Sequence, residues 1–380
     1  MAAPQIPNLK TLRNRTVIGR GKGRDNAELS GPASSEDKVS NDRIVQQTDQ
    51  DASVSRKSAV DLGYLDDPFA KYFVSGEGQR RFPIINRGTY VRTKAIDNLV
   101  ETFVNNEPTT KKQIISLGAG SDTRFFRLMS RTPDLTGIGY QRPNLVYHEI
   151  DFPENTIEKL RPIHCTSDLC RHIKPGMGMH NSSCSEDDSR PVDTLYSENY
   201  FVHPLDLRTL NPTTPAPISF EDIKKDLPTL IISECCLVYL APDAADAVAQ
   251  YFTKFFFPAS TPLGLILYEP INPLDAFGKV MVSNLAARGI VLQTLRKYGS
   301  LEAQAARMKM YGFEETGGAT VNTLWSKGVD EKEKERVAGL EMVDEVEEWE
   351  LLAEHYCVSW GWRGHGIWQG WKDMAKEMEM

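Results

Sequence analysis

The run Gln113-Ile114-Ile115-Ser116-Leu117 leads straight into Gly118-Ala119-Gly120-Ser121-Asp122-Thr123, and an amphipathic stretch over 124–129 follows at once. Strand, glycine turn and helix in that order constrain this chain more than any other feature. Gly118 and Gly120 carry no Cβ, so a nucleotide-like ligand can approach the backbone there. The turn also informs by what it lacks. A dinucleotide fingerprint needs a third glycine where helix and strand pack closely, and this chain has Thr123 there. No Gly-Lys-Ser/Thr follows, which excludes a phosphate-gripping P-loop.

What remains is a ligand with an adenosine but no pyrophosphate, and S-adenosylmethionine fits that description. The surrounding pattern agrees with a nucleoside-binding sheet. In 90–104, Ile96, Leu99, Val100 and Phe103 recur at helical spacing. Short apolar strands are predicted at 113–117, at 144–150 closing on Asp151, at 229–233 closing on Glu234, and at 263–268. The spacing of Val248, Tyr251, Phe252 and Phe255 predicts a helix over 244–256, with Pro242 at its start. Residues 344–356 read as an acidic helix. In 356–362 large apolar residues alternate with small ones, predicting a strand with one buried face. Strands alternating with helices define an α/β class with a mostly parallel sheet.

At 380 residues the chain suffices for one large α/β domain or two modest ones. A net charge of −8 gives no reason to expect nucleic acid as a partner. No apolar run approaches the ~20 residues that cross a bilayer, and the first residues lack a secretory signal. The six cysteines show no Cys-x-x-Cys metal pattern, and adjacent Cys235 and Cys236 cannot readily pair, so no metal site and a reduced cytoplasmic or nuclear setting are expected. Residues 1–45 are polar and expected to stay disordered. Their basic stretch 13–24 is either a docking tail or a plain solvated one. Residues 46–380 are expected to form a single domain, with an N-terminal helical lid over about 46–110 and an irregular polar insertion over about 164–194.

Ligands of open α/β sheets sit beyond the carboxyl ends of the strands. Asp151 closes the second strand, where it can accept hydrogen bonds from ribose hydroxyls or cap the helix that follows. Glu234 closes the third, either meeting the amino or cationic part of the cofactor or forming a structural salt bridge. Asp206 can hold an adenine amino group with Leu207 over the ring, or form a turn with Arg208. Arg92, on the helix after Asn86-Arg87-Gly88-Thr89-Tyr90, can bind a carboxylate through two parallel hydrogen bonds or be a surface arginine.

Ordered blocks between about 45 and 362 resemble the leucine carboxyl methyltransferases. They are Gln47-Thr48-Asp49-Gln50-Asp51-Ala52, Gly63-Tyr64, Asn86-Arg87-Gly88-Thr89-Tyr90-Val91-Arg92, 117–124, Glu149-Ile150-Asp151-Phe152-Pro153, Ser233-Glu234-Cys235-Cys236-Leu237-Val238-Tyr239, Tyr268-Glu269-Pro270, Asp275-Ala276-Phe277-Gly278 with Met281, and His355-Tyr356. The resemblance implies a seven-stranded, Rossmann-like methyltransferase sheet with helices on both faces and its last strand antiparallel. It also implies S-adenosylmethionine as cofactor, and methyl esterification of the C-terminal leucine α-carboxylate on the catalytic subunit of protein phosphatase 2A. Carried over by position, it implicates Arg56, Arg92, Gly118, Asp151, Asp206, Leu207 and Glu234 in cofactor binding. Arg56 stands where the family usually has lysine, and neighbouring Lys57 leaves that alignment open by one place. Arg92 and Tyr239 are candidates for positioning the substrate carboxylate, Tyr239 being equally readable as a core aromatic. No membrane partner is expected, and a monomer is. A small-molecule or tRNA-directed methyltransferase of the same fold, or a non-catalytic phosphatase-binding protein, is the competing reading. The tRNA-directed sister group carries a further C-terminal repeat domain, which disfavours that alternative here.

Overall fold

The computed structural model describes residues 35–76, 78–131, 142–176, 192–214, 216–344, 346–364 and 366–379. Its centre is an eight-stranded sheet in the order β3-β4-β2-β1-β5-β6-β8-β7. The strands are β1 Lys112–Leu117, β2 Leu145–Asp151, β3 Leu195–Tyr196, β4 Tyr200–Pro204, β5 Thr229–Glu234, β6 Leu263–Pro270, β7 Glu315–Thr320 and β8 Tyr356–Arg363. β4, β2, β1, β5 and β6 run parallel, while β8 is antiparallel to both of its neighbours. The strand beyond the expected seven is the two-residue β3, added antiparallel at the edge beside β4.

Central parallel strands are covered on both sides, so they read as near-continuous apolar runs. β1, β2 and β6 are buried along their whole length. One face packs against α2, Pro83–Asn105, whose Ile96, Leu99, Val100 and Phe103 are fully buried. The other face packs Ile115, Leu117 and Leu265 against Val248 and Phe252. α2 begins before the predicted helix because Pro83 occupies its first turn, where no N–H is needed. β8 is buried on both faces rather than one, since Met308 and Phe313 close over Gly361.

Three further expectations need correction. Residues 35–45 belong to a helix, α1, which runs Ser35–Asp61. The expectation of a disordered tail therefore fails for 35–45; residues 1–34, with the basic stretch 13–24, lie outside the described residues. The insertion expected over about 164–194 is not irregular at its start: residues 164–173 fold against the core, with Leu169 and Ile173 buried, and 177–191 lie outside the described residues. Finally, the helix over 244–256 changes character. It is α-helical over Pro242–Gln250 and widens to a π-turn over Tyr251–Phe256, whose end is capped by Arg363 donating to the carbonyls of Phe257 and Pro258.

Two buried histidines tie β2 to β4. His148 Nδ1 and His203 Nε2 lie 3.2 Å apart, with Phe201 stacked on the His148 ring. Burial holds both below the usual histidine range, His203 down to about 4. Between pH ~6.5 and ~4 the unfolded chain thus binds protons that the folded chain refuses, and stability falls as pH drops through that window. His203→Phe should remove about 2 kcal/mol of the stability lost between pH 7 and pH 5. Urea titrations at both pH values check this, and an undiminished loss in the variant counts against it.

Candidate active site

Register places the site. Leu117 on β1 pairs with Ile150 on β2 and with Ser233 on β5, so Gly118, Asp151 and Glu234 emerge side by side at one rim. A cavity of about 870 Å³ opens there, lined by all seven expected cofactor residues and by Tyr239. Sites for small organic ligands run from ~300 to ~1,000 Å³, so there is room for a nucleoside-sized donor and the end of a second molecule.

The glycine turn is held from below and above. Gly118 and Gly120 have φ of +64° and +45°, a conformation that favours glycine. A Cβ on Gly118 would lie 2.5 Å from Cys236 Sγ, and one on Gly120 would lie 2.2 Å from Asp49 Oδ1. The missing side chains therefore make room for Cys236 and for α1, besides facing the cavity. Asp49 accepts from the Ser121 N–H and hydroxyl, each at 2.8 Å, seating α1 on the turn. Gly120→Ala should destabilise the fold by about 1–3 kcal/mol and expose α1 to protease. Limited proteolysis reads this, and unchanged cleavage would contradict it.

Asp151 does not cap the helix that follows, whose N-cap is Phe152 with no side-chain cap, but it lines the cavity where a ribose is expected. Its Oδ1 accepts from Phe152 N–H at 2.7 Å and Asn155 Nδ2 at 2.9 Å, at the start of α3, Pro153–Cys165. Its Oδ2 accepts from Gly120 N–H at 2.7 Å and keeps a further lone pair, and the residue lines the cavity. Burial pushes its carboxyl up to about 6 against those three donors. Asp206 forms the turn with Arg208, at 2.7–3.0 Å, while also lining the cavity beside Leu207. Arg208 additionally pairs with Asp42 of α1, at 2.7 and 2.8 Å.

Glu234 is the hub. Its Oε2 accepts from Arg92 Nε and its Oε1 from Arg124 Nη2, both at 2.8 Å. Burial favours its neutral form, but the Arg124 and Arg92 guanidiniums override that and hold the carboxyl below its usual range. The salt-bridge reading of Glu234 is thus what the geometry shows, at a position that still faces the cavity. Arg92 packs over the Tyr268 ring at 4.8 Å, and its two terminal nitrogens have no hydrogen-bond partner among the described residues. Arg56 lines the cavity, whereas Lys57 pairs with Asp61 at 2.5 Å in an exposed position. Arg56 itself is 3.4 Å from Asp67.

The cavity lining also includes the apolar side chains of Ile84, Ile85, Val321, Trp349, Leu352 and Ala353. Tyr268 and Tyr356, which also line it, stack at 5.6 Å. Burial raises the Tyr239 phenol, which stays a neutral donor. Cys235, at φ +47°, turns the chain sharply after Glu234, a strained conformation of a kind that clusters at functional sites. Sequence reasoning missed Arg124, Asp97 and Asp122: Asp122 is two residues from Arg124, but Asp97 and Glu234 meet that arginine from 27 and 110 residues away.

An open sheet with an antiparallel β8 and a rim cavity built from a glycine turn and two strand-end carboxylates defines an α/β methyltransferase of Rossmann-like type. The leucine carboxyl methyltransferase family model matches residues 44–253. Leucine carboxyl methyltransferase 1 of Aspergillus fumigatus is 50% identical over 404 residues, covering 98% of each chain. Its counterpart in Emericella nidulans is 51% identical over 398 residues, again covering 98% of each. Among solved structures, an O-methyltransferase family protein from Burkholderia thailandensis covers 87% of this chain and 72% of that one at 12% identity, with a TM-score of 0.38, too distant to carry an argument. The chain belongs to the leucine carboxyl methyltransferase family, and its enzymatic class is protein carboxyl methyltransferase.

Proposed function

We propose that this enzyme uses S-adenosylmethionine to methyl-esterify the α-carboxylate of the C-terminal leucine on the catalytic subunit of protein phosphatase 2A, regulating phosphatase assembly. The observation that supports this best is the mixed lining of the cavity, which brings Asp151 for a ribose and Leu207 for an adenine ring together with apolar side chains that suit a branched aliphatic group. When bound, the donor supplies an electrophilic methyl group on a sulfonium.

A carboxylate is already ionised near neutral pH, so no general base is required. The residues' work is orientation, which can lower a barrier by several kcal/mol when reacting atoms are held in line. Arg92 anchors a carboxylate through its two terminal nitrogens. Tyr239 donates a hydrogen bond. Trp349, Leu352 and Ala353 keep water from the acceptor. We further propose that the enzyme works as a monomer in the cytoplasm, and in the nucleus as well. No helix among the described residues is long and apolar enough to cross a membrane.

Labelled methyl transfer to purified phosphatase catalytic subunit tests the reading. Label on the last residue that mild alkali releases is expected, with none on a subunit lacking its terminal leucine. Alkali-stable label, or label that ignores the loss of the leucine, would overturn it.

A further inference from the structure

Arg124 starts the helix Arg124–Ser130 directly after the glycine turn, and its side chain is 1% exposed. It bridges three carboxylates at once: Asp97 Oδ1 at 2.9 Å, Asp122 Oδ2 at 2.5 Å and Glu234 Oε1 at 2.8 Å. Asp97 comes from α2, Asp122 from the turn and Glu234 from the end of β5, so one guanidinium pins three elements of the site. The consequence concerns Arg92. An arginine beside a carboxylate ordinarily closes on it with two parallel hydrogen bonds. Here Glu234 gives Arg92 only one, through Nε, while its other oxygen accepts from Arg124.

We propose that Arg124 is a positioning residue: by holding Glu234 Oε1 it limits Glu234 to a single bond with Arg92 and keeps the two terminal nitrogens of Arg92 turned toward the cavity for a ligand carboxylate. Without Arg124, Glu234 is free to take Arg92 bidentately and withdraw it from the ligand. Arg124 touches no ligand in this arrangement, since the cavity is lined by Arg92 and Glu234 and not by Arg124. The proposal rests on the methyl-donor reading above. The carboxylate belongs either to the amino-acid part of the donor or to the acceptor's chain end, and the test separates these.

The variant is Arg124→Met with Asp122→Asn, which removes one charge of each sign; Asp122→Asn alone is its control. Arg124→Lys is the second variant, keeping the charge without a planar fork that reaches three carboxylates. Calorimetry compares S-adenosylhomocysteine with 5′-methylthioadenosine, which shares the adenosine and lacks the amino acid. A second arm titrates a leucine-ended peptide, with free or amidated terminus, onto enzyme saturated with S-adenosylhomocysteine. Expected is a loss of about tenfold or more for S-adenosylhomocysteine, with 5′-methylthioadenosine within about twofold of the control. If Arg92 takes the acceptor's carboxylate, the loss moves to the free-terminus peptide and spares the amidated one. Equal losses for both nucleosides would make Arg124 merely structural and overturn the proposal, as would no loss in either arm. Failure of the unmodified enzyme to bind S-adenosylhomocysteine would instead remove the donor reading, and this proposal with it.

Discussion

Glu234→Ala is expected to cost donor affinity and turnover together, on the order of 100-fold in kcat/KM. The substitution removes the counter-charge of Arg92 and one of three carboxylates around buried Arg124. Charge-assisted hydrogen bonds contribute about 1.5–3 kcal/mol each, and about 1.4 kcal/mol is a factor of ten. Glu234→Gln, which keeps shape and one acceptor, should lose roughly tenfold on the same arithmetic. Steady-state kinetics with calorimetry of S-adenosylhomocysteine checks both. A non-catalytic phosphatase-binding protein would behave differently, since its partner affinity would survive and there would be no turnover to lose. Unchanged donor affinity in a folded Glu234→Ala protein would take Glu234 out of the site.

Arg307→Met is expected to act on stability with little effect on chemistry. Arg307 is fully buried on the helix Leu301–Met310 and donates to Glu269 Oε2 at 2.7 Å and to the Tyr311 hydroxyl at 2.7 Å. The Tyr311 hydroxyl in turn donates to Asp246 at 2.7 Å, so the network joins β6 to the helix Pro242–Gln250. Removing the cation leaves Glu269, 1% exposed, as an uncompensated buried charge. Breaking such a pair costs about 3–5 kcal/mol, whereas replacing both partners costs much less. Urea unfolding should therefore show a large drop for Arg307→Met, partly restored by adding Glu269→Gln. Turnover per folded molecule should stay within about twofold, because Arg307 lies outside the cavity lining. A collapse of turnover at intact stability would contradict this division.

Much of the sheet was legible because its central strands are short apolar runs that end on informative residues. β1, β2, β5 and β6 lie within two residues of their predicted bounds. β7, Glu315–Thr320, carries two glycines and no β-branched run, so nothing local marks it. Gly317 is required there by the Trp360 indole, 2.4 Å from a would-be Cβ, and Trp360 lies on a different strand. The helix Gln369–Glu379 did carry a signal, since Trp371, Ala375 and Met378 recur at helical spacing and are buried. In the site, the glycine turn and strand-end carboxylates were visible because they sit at element boundaries. Arg124 was not, because Asp97 and Glu234 are 27 and 110 residues away and only the fold brings them together. Asp49 was invisible as a clamp for the same reason, 72 residues from Ser121.

A crystal structure with S-adenosylhomocysteine bound tests the central assignment most directly. The ribose hydroxyls are expected within hydrogen-bond distance of Asp151, the adenine beside Leu207 and Asp206, and the sulfur on the side of Arg92. A nucleoside seated against Trp349 instead, or outside this cavity, would contradict the assignment.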